Sequence, residues 1–459
     1  MTDNSTVSGP PTTDRDGLAP VAEALRPMTQ TRYAMVFWSS GIIVQIMVIG
    51  LYLLHPIGGL NFTQVIAAGL VASVLVALLM TLQGHAGLRY GIPFIVQGRS
   101  AFGTQGTRFV AVLRCIPAIA WNGIGTWIGA LALDQVTTSL FGAGSVWGYF
   151  FLLLILQSLL AYRGIGTISR FNGAMSLIIF LMLAYFFYVV LSRGSIDFSA
   201  ASEVPGSWGL VWIAGMMSAF ANWTTVILNA SDLTRQINTR GRSPMSVSAI
   251  ANFLGVLPPW MFMILSGMLI GLATGNDDPI AGLVELAPNP VFGIVLLVFI
   301  ILAQITSNLT LNILPPALAF QDLFKVSWRG GIVLVALLSV VTAPWYLFTS
   351  DYFFTFQNVY SSFLGPAAAI MLVDYFVIRR TRLDLDRLYD DHSYRYLGGF
   401  RPAAMLALVA GALVSFAFLD YSWLVGFPFT AIVFLLLDKA GVDERITQHI
   451  AQRRSRGQA

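Results

Sequence analysis

The sequence predicts an all-α, polytopic membrane protein with twelve transmembrane helices. Of its 459 residues, 56% are hydrophobic and only 10% are charged, whereas soluble domains carry about 25% charged residues. Many apolar stretches approach the roughly 20 residues that a bilayer-spanning helix needs. The basic residues between these stretches segregate to one side of the membrane, as the positive-inside rule requires. This composition excludes a soluble domain.

Apolar windows define the twelve candidate spans. In chain order they cover residues 34–54, 63–82, 108–138, 145–162, 171–192, 208–230, 246–273, 290–320, 331–348, 352–377, 402–419 and 422–438. Spans three and eight are long and contain many polar residues, which indicates that they are buried inside the helix bundle.

The distribution of charge predicts the orientation. If the N-terminus is cytoplasmic and the spans alternate, the cytoplasmic side holds 25 of the 26 lysines and arginines, and only Arg193 lies outside. We therefore expect a multi-pass protein of the cytoplasmic (inner) membrane with both termini in the cytoplasm. The net charge of +4 then needs no nucleic-acid partner. Residues 1–32 lack the apolar core of a signal peptide and are predicted to be a disordered cytoplasmic tail. Residues 439–459 are predicted to be a second cytoplasmic tail.

A dense polar cluster lies in span eight, where Gln304, Thr306, Ser307, Asn308 and Asn312 follow one another closely. Polar side chains inside a membrane span cost free energy unless they are paired or functional. Neutral hydroxyl and carbonyl oxygens suit a monovalent cation that must be released again. The alternative is hydrogen bonding between helices, which polar residues often provide in membrane bundles.

Spans one and six carry further polar residues. Span one contains Ser39, Ser40, Gly41 and Gln45, which mark a place where the helix can break and expose carbonyl groups. Span six contains Asn222 followed by Trp223, a tryptophan far from either membrane interface. These spans open two consecutive sets of five. Interrupted helices in corresponding places of two halves indicate the binding site of a transporter.

Trp223 and Trp121 of span three are candidates for binding a planar ligand. An indole offers a flat apolar face, and Asn222 places an amide beside Trp223. Trp121 lies in a glycine-containing stretch with Gly123 and Gly125, which lets another helix or a ligand approach closely. Ordinary core packing is the alternative for both tryptophans.

Catalytic groups are not predicted inside the membrane. No Asp, Glu, Lys or His is expected near the centre of a span, and the four histidines are expected in loops or a tail. A carboxylate proton relay, a catalytic metal centre, a nucleophile–base pair and a phosphate-binding loop are therefore not expected. No organic cofactor is predicted. A membrane enzyme is the alternative from another class, and it would need such a cluster.

Four motifs resemble those of a known family. The stretch GLRYGIPFIVQGRSAFGTQG at 87–106, then LRCIPAIAWNGIGTWIGA, LNASDLTR and LAQITSNLTLNILPP, are similar to successive motifs of the nucleobase–cation symporter family. That family includes hydantoin, allantoin, uracil, cytosine and purine permeases. The resemblance extends from about Arg26 to Arg380. It implies a LeuT-like fold with a ten-helix core at 33–378, formed by inverted five-helix repeats at about 33–192 and 208–378. It also implies a cytoplasmic loop at 379–401 and two accessory helices at 402–438.

The resemblance also implies site residues. Trp121 and Trp223 would sandwich the substrate ring, Asn312 would recognise its amide edge, and Gln45 and Asn222 would lie beside it. The sodium site would comprise carbonyl groups near Gly41 and Val44 with Ala303, Thr306 and Ser307.

Two positions depart from the family pattern, since Asn122 replaces a common aromatic residue and Gly125 replaces a glutamine. Several members have glutamine where this chain has Gly125, so the substrate pocket is expected to be roomier or differently polar at span three. The expected function is a symporter that imports a planar heterocycle, coupled to sodium. The alternative is a proton-coupled transporter of a vitamin such as thiamine, or of an amino acid, on the same fold. The sequence does not specify the oligomeric state.

Overall fold

A computed structural model describes residues 18–163, 165–192, 196–390 and 392–456. Each of the twelve predicted spans contains at least one helix, and some spans are interrupted. Six helices are long and apolar enough to cross a membrane by length and composition, and shorter apolar helices lie in the other six windows. The described residues contain three isolated β-bridges but no β-strand.

The helices are numbered in chain order. The first half contains α1 (Gln30–Gly41), α2 (Val44–Leu53), α3 (Phe62–Tyr90), α4 (Phe94–Phe102), α5 (Thr104–Phe141), α6 (Val146–Tyr162) and α7 (Ile165–Ser192). The second half contains α8 (Phe198–Glu203), α9 (Leu210–Ala221), α10 (Thr224–Leu228), α11 (Ala230–Thr234), α12 (Pro244–Thr274), α13 (Pro279–Leu286), α14 (Pro290–Ser307), α15 (Leu314–Phe324), α16 (Trp328–Val341), α17 (Pro344–Leu347) and α18 (Ser350–Leu372). The C-terminal part contains α19 (Leu385–Tyr389), α20 (Pro402–Ala417), α21 (Ser422–Lys439) and α22 (Val442–Arg456). Two π-helical segments, Asn308–Ile313 and Val373–Ile378, continue α14 and α18.

Local sequence signals explain where the long helices begin and end. Helix α3 starts with a capping box between Asn61 and Gln64, and it ends at Gly91, whose φ of 73° favours glycine. Helix α14 begins with Pro290, and the Asn289 side chain accepts a hydrogen bond from a backbone N–H of the first turn.

The predicted interruptions of spans one and six are present. Span one consists of α1 and α2, which are separated by Ile42 and Ile43. Span six breaks at Asn222 and Trp223, between α9 and α10. Non-helical backbone at membrane depth is tolerated only where protein or a cavity covers it. The two breaks therefore mark the interior of the bundle as the region to search for a site.

The packing of the core is repeated between its two halves. Helices α1 and α2 of span one pack against α12 of span seven, and α9, α10 and α11 of span six pack against α3 of span two. Likewise α5 packs against α18, and α14 packs against α7. The contact between spans one and seven thus recurs between spans six and two, and the contact between spans three and ten recurs between spans eight and five. Corresponding spans are five apart in the chain. Because five is odd, the second half enters the membrane from the side opposite to the first, which makes the repeats inverted.

The N-terminal segment corrects one prediction. Residues 18–29 were expected within a disordered tail, but they pack on one end of the bundle. We call this end, where Arg26, Arg89, Arg379 and Arg401 make their contacts, the basic face. The Arg26 guanidinium donates to the Leu88 carbonyl at 2.6 Å, and the Val21 N–H donates to the Gly91 carbonyl at 3.0 Å. Residues 30–32 already belong to α1. The rest of the predicted tail, residues 1–17, lies outside the described residues.

A buried ion cluster joins the accessory helices to the core at the basic face. Asp374 is 1% exposed and pairs with Arg379 at 2.7 Å and with Arg401 at 2.8 Å. Arg401 also pairs with Asp443, so part of the predicted C-terminal tail is the anchored helix α22. Burial is the largest single influence on the pKa of the Arg401 guanidinium and lowers it, but Asp374, Tyr396 and Asp443 together raise it by more, so the net shift is upward.

One histidine does not lie where it was expected. His85 was predicted in a loop, but it is buried in the last turns of α3, where its Nδ1 lies 2.8 Å from the Tyr375 hydroxyl. His449 lies in the C-terminal segment at 439–459, as expected, and belongs to α22. Span two therefore continues beyond its apolar window, because helical hydrogen bonding extends through polar residues that other helices cover.

Candidate substrate and cation site

A small cavity of about 50 Å³ lies between the two interrupted spans. Five of the six residues predicted for the substrate site line it, and the exception is Gly125. The lining residues are Ser40, Ile43, Gln45, Ile46, Trp121, Asn222, Trp223, Thr225, Val226, Ser307, Leu311 and Asn312. This volume has room for a few water molecules, each of which needs about 10–15 Å³. The cavity is therefore small in this structure.

The Trp223 side chain is held by the break in span six and by span one. The residue caps α10 at its N-terminus, and its side chain is 3% exposed. Its ring lies 5.9 Å from that of Phe37 and 6.0 Å from that of Trp260, measured between centroids. A Cβ atom on Gly41 would lie 3.8 Å from the indole, so span one approaches it closely. The indole N–H has no hydrogen-bond partner among the described residues.

Trp121, which also lines the cavity, is held by α18. Its indole N–H donates to the Tyr360 hydroxyl at 3.3 Å, and its ring packs edge-on against Phe353 and Phe356. The Tyr360 hydroxyl in turn lies 3.0 Å from the Ala221 carbonyl at the break in span six. Both indoles are fixed by neighbours, which reduces the entropy that ligand binding would cost. Tyr360 was not predicted, because nothing in the sequence distinguishes it from other tyrosines.

Asn312 and Asn308 occupy different positions although they are four residues apart. Asn312 lines the cavity, and its Nδ2 donates to Asn308 Oδ1 at 3.0 Å. Asn308 lies behind it, fully buried, and donates to the Asn122 carbonyl, Thr126 Oγ1 and Gln157 Oε1 at 2.9–3.3 Å. Asn308 therefore provides hydrogen bonding between helices, which was the alternative for the span-eight cluster, whereas Asn312 faces the cavity.

The π-helical segment that carries Asn308 and Asn312 has a local cause. Pro315 and Pro316 follow it, and proline has no backbone N–H to donate to the carbonyl four residues earlier. The carbonyls of Leu311 and Asn312 therefore lose their regular helical donors. Such π-bulges occur frequently at functional sites.

Gly125 is the one residue predicted for the substrate site that does not line the cavity. A Cβ atom placed on it would lie 2.6 Å from Asn308 Oδ1 and 2.9 Å from its Nδ2. The space that a side chain would take at this position is therefore filled by the Asn308 amide. Of the two alternatives expected at span three, a roomier or a differently polar pocket, the roomier one does not hold, because the Asn308 amide of span eight occupies this volume. Asn122, the neighbouring departure, donates to Ser339 of α16 at 3.0 Å instead of lining the cavity.

Comparison with known proteins agrees with this arrangement. The family model for permeases for cytosine/purines, uracil, thiamine and allantoin matches residues 20–438. The chain belongs to this permease family. An allantoin permease of Bacillus subtilis is 28% identical over 83% of this chain and 84% of its own length. A hydantoin permease of Microbacterium maritypicum is 26% identical over 79% of this chain and 76% of its own length.

A solved structure shows the same fold. A nucleobase-cation-symport-1 family transporter, in a closed conformation with bromovinylhydantoin bound, superposes with a TM-score of 0.81 at 24% identity. The match covers 92% of this chain and 94% of the other. The permease therefore has the predicted LeuT-like fold, and it is a transporter rather than an enzyme.

Gln45 connects the substrate cavity of the permease to a neighbouring region. Its Nε2 donates to Gln304 Oε1 at 2.8 Å, and both side chains are buried. Gln304 lines a second, apolar cavity of about 10 Å³ together with Val44 and Ala303. Gln304 was noted in the polar cluster but was not assigned to the site, because its pairing with span one depends on the fold.

The residues predicted to bind the cation lie at this junction of spans one and eight. Gly41 ends α1 and Val44 begins α2, so they flank the break. Val44 and Ala303 line the second cavity, and Thr306 Oγ1 donates to the Ala303 carbonyl at 3.0 Å. Ser307 lines the substrate cavity. The oxygens near the break are hydroxyls, amides and carbonyls. Among the described residues, no group of three or more His, Cys, Asp or Glu side chains could hold a metal ion.

Proposed function

We propose that this permease is a secondary active symporter that imports a planar heterocycle of the nucleobase, allantoin or hydantoin type together with sodium. The observation that carries the proposal is that two fixed indoles and three amide side chains line one cavity between two interrupted helices. Trp121 and Trp223 offer apolar faces for a ring, and Gln45, Asn222 and Asn312 offer donors and acceptors for its amide-like edge.

The chemistry of the cavity favours a neutral ring. An amino acid would bring a carboxylate and an ammonium group, and each would need a partner when desolvated. Among the described residues that line the two cavities, none is Asp, Glu, Lys, Arg or His. For the same reason a proton has no ionisable acceptor there, whereas neutral oxygens near the break suit sodium.

We assign the basic face to the cytoplasm and the protein to the cytoplasmic membrane. Arg26, Arg89, Arg379 and Arg401 make their contacts at this one face, near residues 18–29. The positive-inside rule places such a face in the cytoplasm. Transport would proceed by movement of one repeat group against the other, with the site exposed alternately to each side.

An uptake assay tests the substrate class. In proteoliposomes with an inward sodium gradient, we expect saturable uptake of at least one of allantoin, a hydantoin, uracil, cytosine or hypoxanthine. Thiamine and proline are included as competing substrates. Saturable uptake of thiamine or proline alone, driven by a proton gradient, would contradict the proposal.

Asn312→Ala is expected to weaken substrate binding more than Asn308→Ala. Loss of Asn312 leaves a polar edge of the ligand unpaired, which costs about 1–3 kcal/mol. Asn308→Ala instead removes a donor shared by α5 and α6, so it should lower the melting temperature of the ligand-free protein. The measurement is ligand affinity by calorimetry together with thermal unfolding of each variant. Equal losses of affinity at unchanged stability would assign both asparagines to the same role.

A further inference from the structure

Trp423 of α21, in span twelve, contacts both sides of the break in span six. Its ring packs edge-on against Phe220 of α9, with centroids 4.8 Å apart and an interplanar angle of 83°. Its indole N–H donates to the hydroxyl of Thr224, the first residue of α10, at 2.9 Å. Asn222 and Trp223, which line the substrate cavity, lie between these two contacts in the chain. One side chain of span twelve therefore bridges the break that carries two residues of the site.

The indole of Trp423 is itself held in place. The residue lies at the start of α21 and is 5% exposed. Its ring stacks on Phe427, one turn later in the same helix, with centroids 5.5 Å apart. A Cβ atom on Gly365 of α18 would lie 3.4 Å from the indole, so α18 also approaches it closely. Because α9, α18 and its own helix hold the ring, the N–H has a fixed direction toward α10.

The Thr224 hydroxyl also joins the break to α18. Its Oγ1 lies 2.9 Å from the hydroxyl of Ser361, and both residues are buried. Threonine hydroxyls inside helices often bond the carbonyl four residues earlier in their own helix, as Thr430 does. The Thr224 hydroxyl instead bonds side chains of two other helices. On the other side of the break, the Tyr360 hydroxyl lies 3.0 Å from the Ala221 carbonyl. The chain on each side of the break is therefore tied to α18.

We propose that Trp423 is a positioning residue for the substrate site. Backbone groups at a helix break lack their regular helical partners, so contacts from other helices set its local shape. Through Phe220 and Thr224, Trp423 fixes this shape and with it the direction of the Asn222 amide and the Trp223 indole. Span twelve thereby contributes to substrate affinity, although Trp423 does not line the cavity. The inference rests on the proposed function, because it concerns the same cavity.

Two conservative variants, one on each side of the hydrogen bond, test the proposal in the full-length protein. Trp423→Phe keeps an aromatic ring but removes the N–H, and Thr224→Val removes the hydroxyl at nearly constant shape. Trp328→Phe is the matched control for the first, since the Trp328 N–H donates to a backbone carbonyl of α6, away from span six. Thr430→Val is the matched control for the second, since the Thr430 hydroxyl bonds a carbonyl of its own helix.

The first measurement is hydrogen–deuterium exchange of the ligand-free protein over residues 219–228. Each test variant should exchange faster there than the wild type and the two controls. The second is affinity by calorimetry for whichever compound of the uptake panel, thiamine and proline included, the wild type binds. Affinity should fall about two- to twelvefold in each test variant, which is the net worth of one hydrogen bond. The double variant should lose no more than the weaker-binding single variant, because both changes remove the same bond.

The outcomes separate positioning from packing. Thr224→Ser retains the hydroxyl and should bind substrate as the wild type does. Unchanged exchange at the break in both test variants would overturn the proposal. Faster exchange with unchanged affinity would also overturn it, since Trp423 would then only pack the helices together. A wild type that binds thiamine or proline alone would contradict the proposed function, whereas the comparison of variants with that compound would still decide the role of Trp423.

Discussion

Trp223→Ala is expected to lower substrate affinity by about 5- to 150-fold, because stacking of a base on an aromatic side chain is worth about 1–3 kcal/mol. The residue supplies one face of the cavity at the break in span six. The neighbouring rings of Phe37 and Trp260 hold the indole in place but cannot replace its face. The measurement is ligand affinity by calorimetry on detergent-purified protein, together with uptake in proteoliposomes.

The control must remove a tryptophan of similar size outside the cavity. Trp147 is suitable because it is 49% exposed and packs against Trp127 and Trp345 instead of lining the cavity. Trp147→Ala should leave affinity unchanged, whereas Trp121→Ala should lower it as Trp223→Ala does. Trp223→Phe should retain part of the affinity, because a smaller aromatic face remains. Normal affinity in Trp223→Ala would remove this residue from the site.

The helix breaks were predictable from sequence because they depend on local properties. Ser40 and Gly41 in span one weaken the helix, and Asn222 places an amide in the middle of span six. A membrane span tolerates such residues only where the exposed backbone is covered. The sequence therefore indicated both the breaks and the place where they meet.

Contacts between distant spans were not predictable in the same way. Gly125 indicated an empty volume in span three, but only the packing of α5 on α14 shows that Asn308 fills it. The pairing of Gln45 with Gln304 likewise depends on how spans one and eight meet. The N-terminal segment is a third case. Its polar composition is typical of disorder, yet Arg26 binds a backbone carbonyl that no sequence pattern identifies.

Sodium is expected to raise substrate affinity by about 5- to 150-fold, the usual range of coupling between two sites. The double variant Thr306→Ala/Ser307→Ala should remove this effect. The two hydroxyls lie on span eight beside the break in span one, and Ser307 also lines the substrate cavity. A cation that orders the backbone between Gly41 and Val44 would also position Gln45, the next residue along α2.

Gln304 provides a second test of this coupling. Gln304 does not line the substrate cavity, but it pairs with Gln45, which does. Gln304→Ala should therefore reduce the effect of sodium on substrate affinity while substrate still binds. Ser266→Ala is the control, since Ser266 is a buried hydroxyl that bonds the Phe262 carbonyl of its own helix. The measurement is a titration of substrate affinity against sodium at fixed pH, with a large inert cation as replacement.

Coupling between two binding sites is reciprocal, so substrate must raise the affinity for sodium by the same factor by which sodium raises the affinity for substrate. Measurement of sodium affinity with and without substrate is therefore a second check of the prediction. An affinity that ignored sodium and followed pH would contradict the assignment of neutral oxygens to the cation site. The proton would then require a carboxylate outside the two cavities. Asp232 is a candidate at the end of span six, where it accepts hydrogen bonds from the Phe94 N–H and from Asn229. In that case Asp232→Asn would abolish the pH effect, whereas under sodium coupling it should leave the sodium dependence of affinity intact.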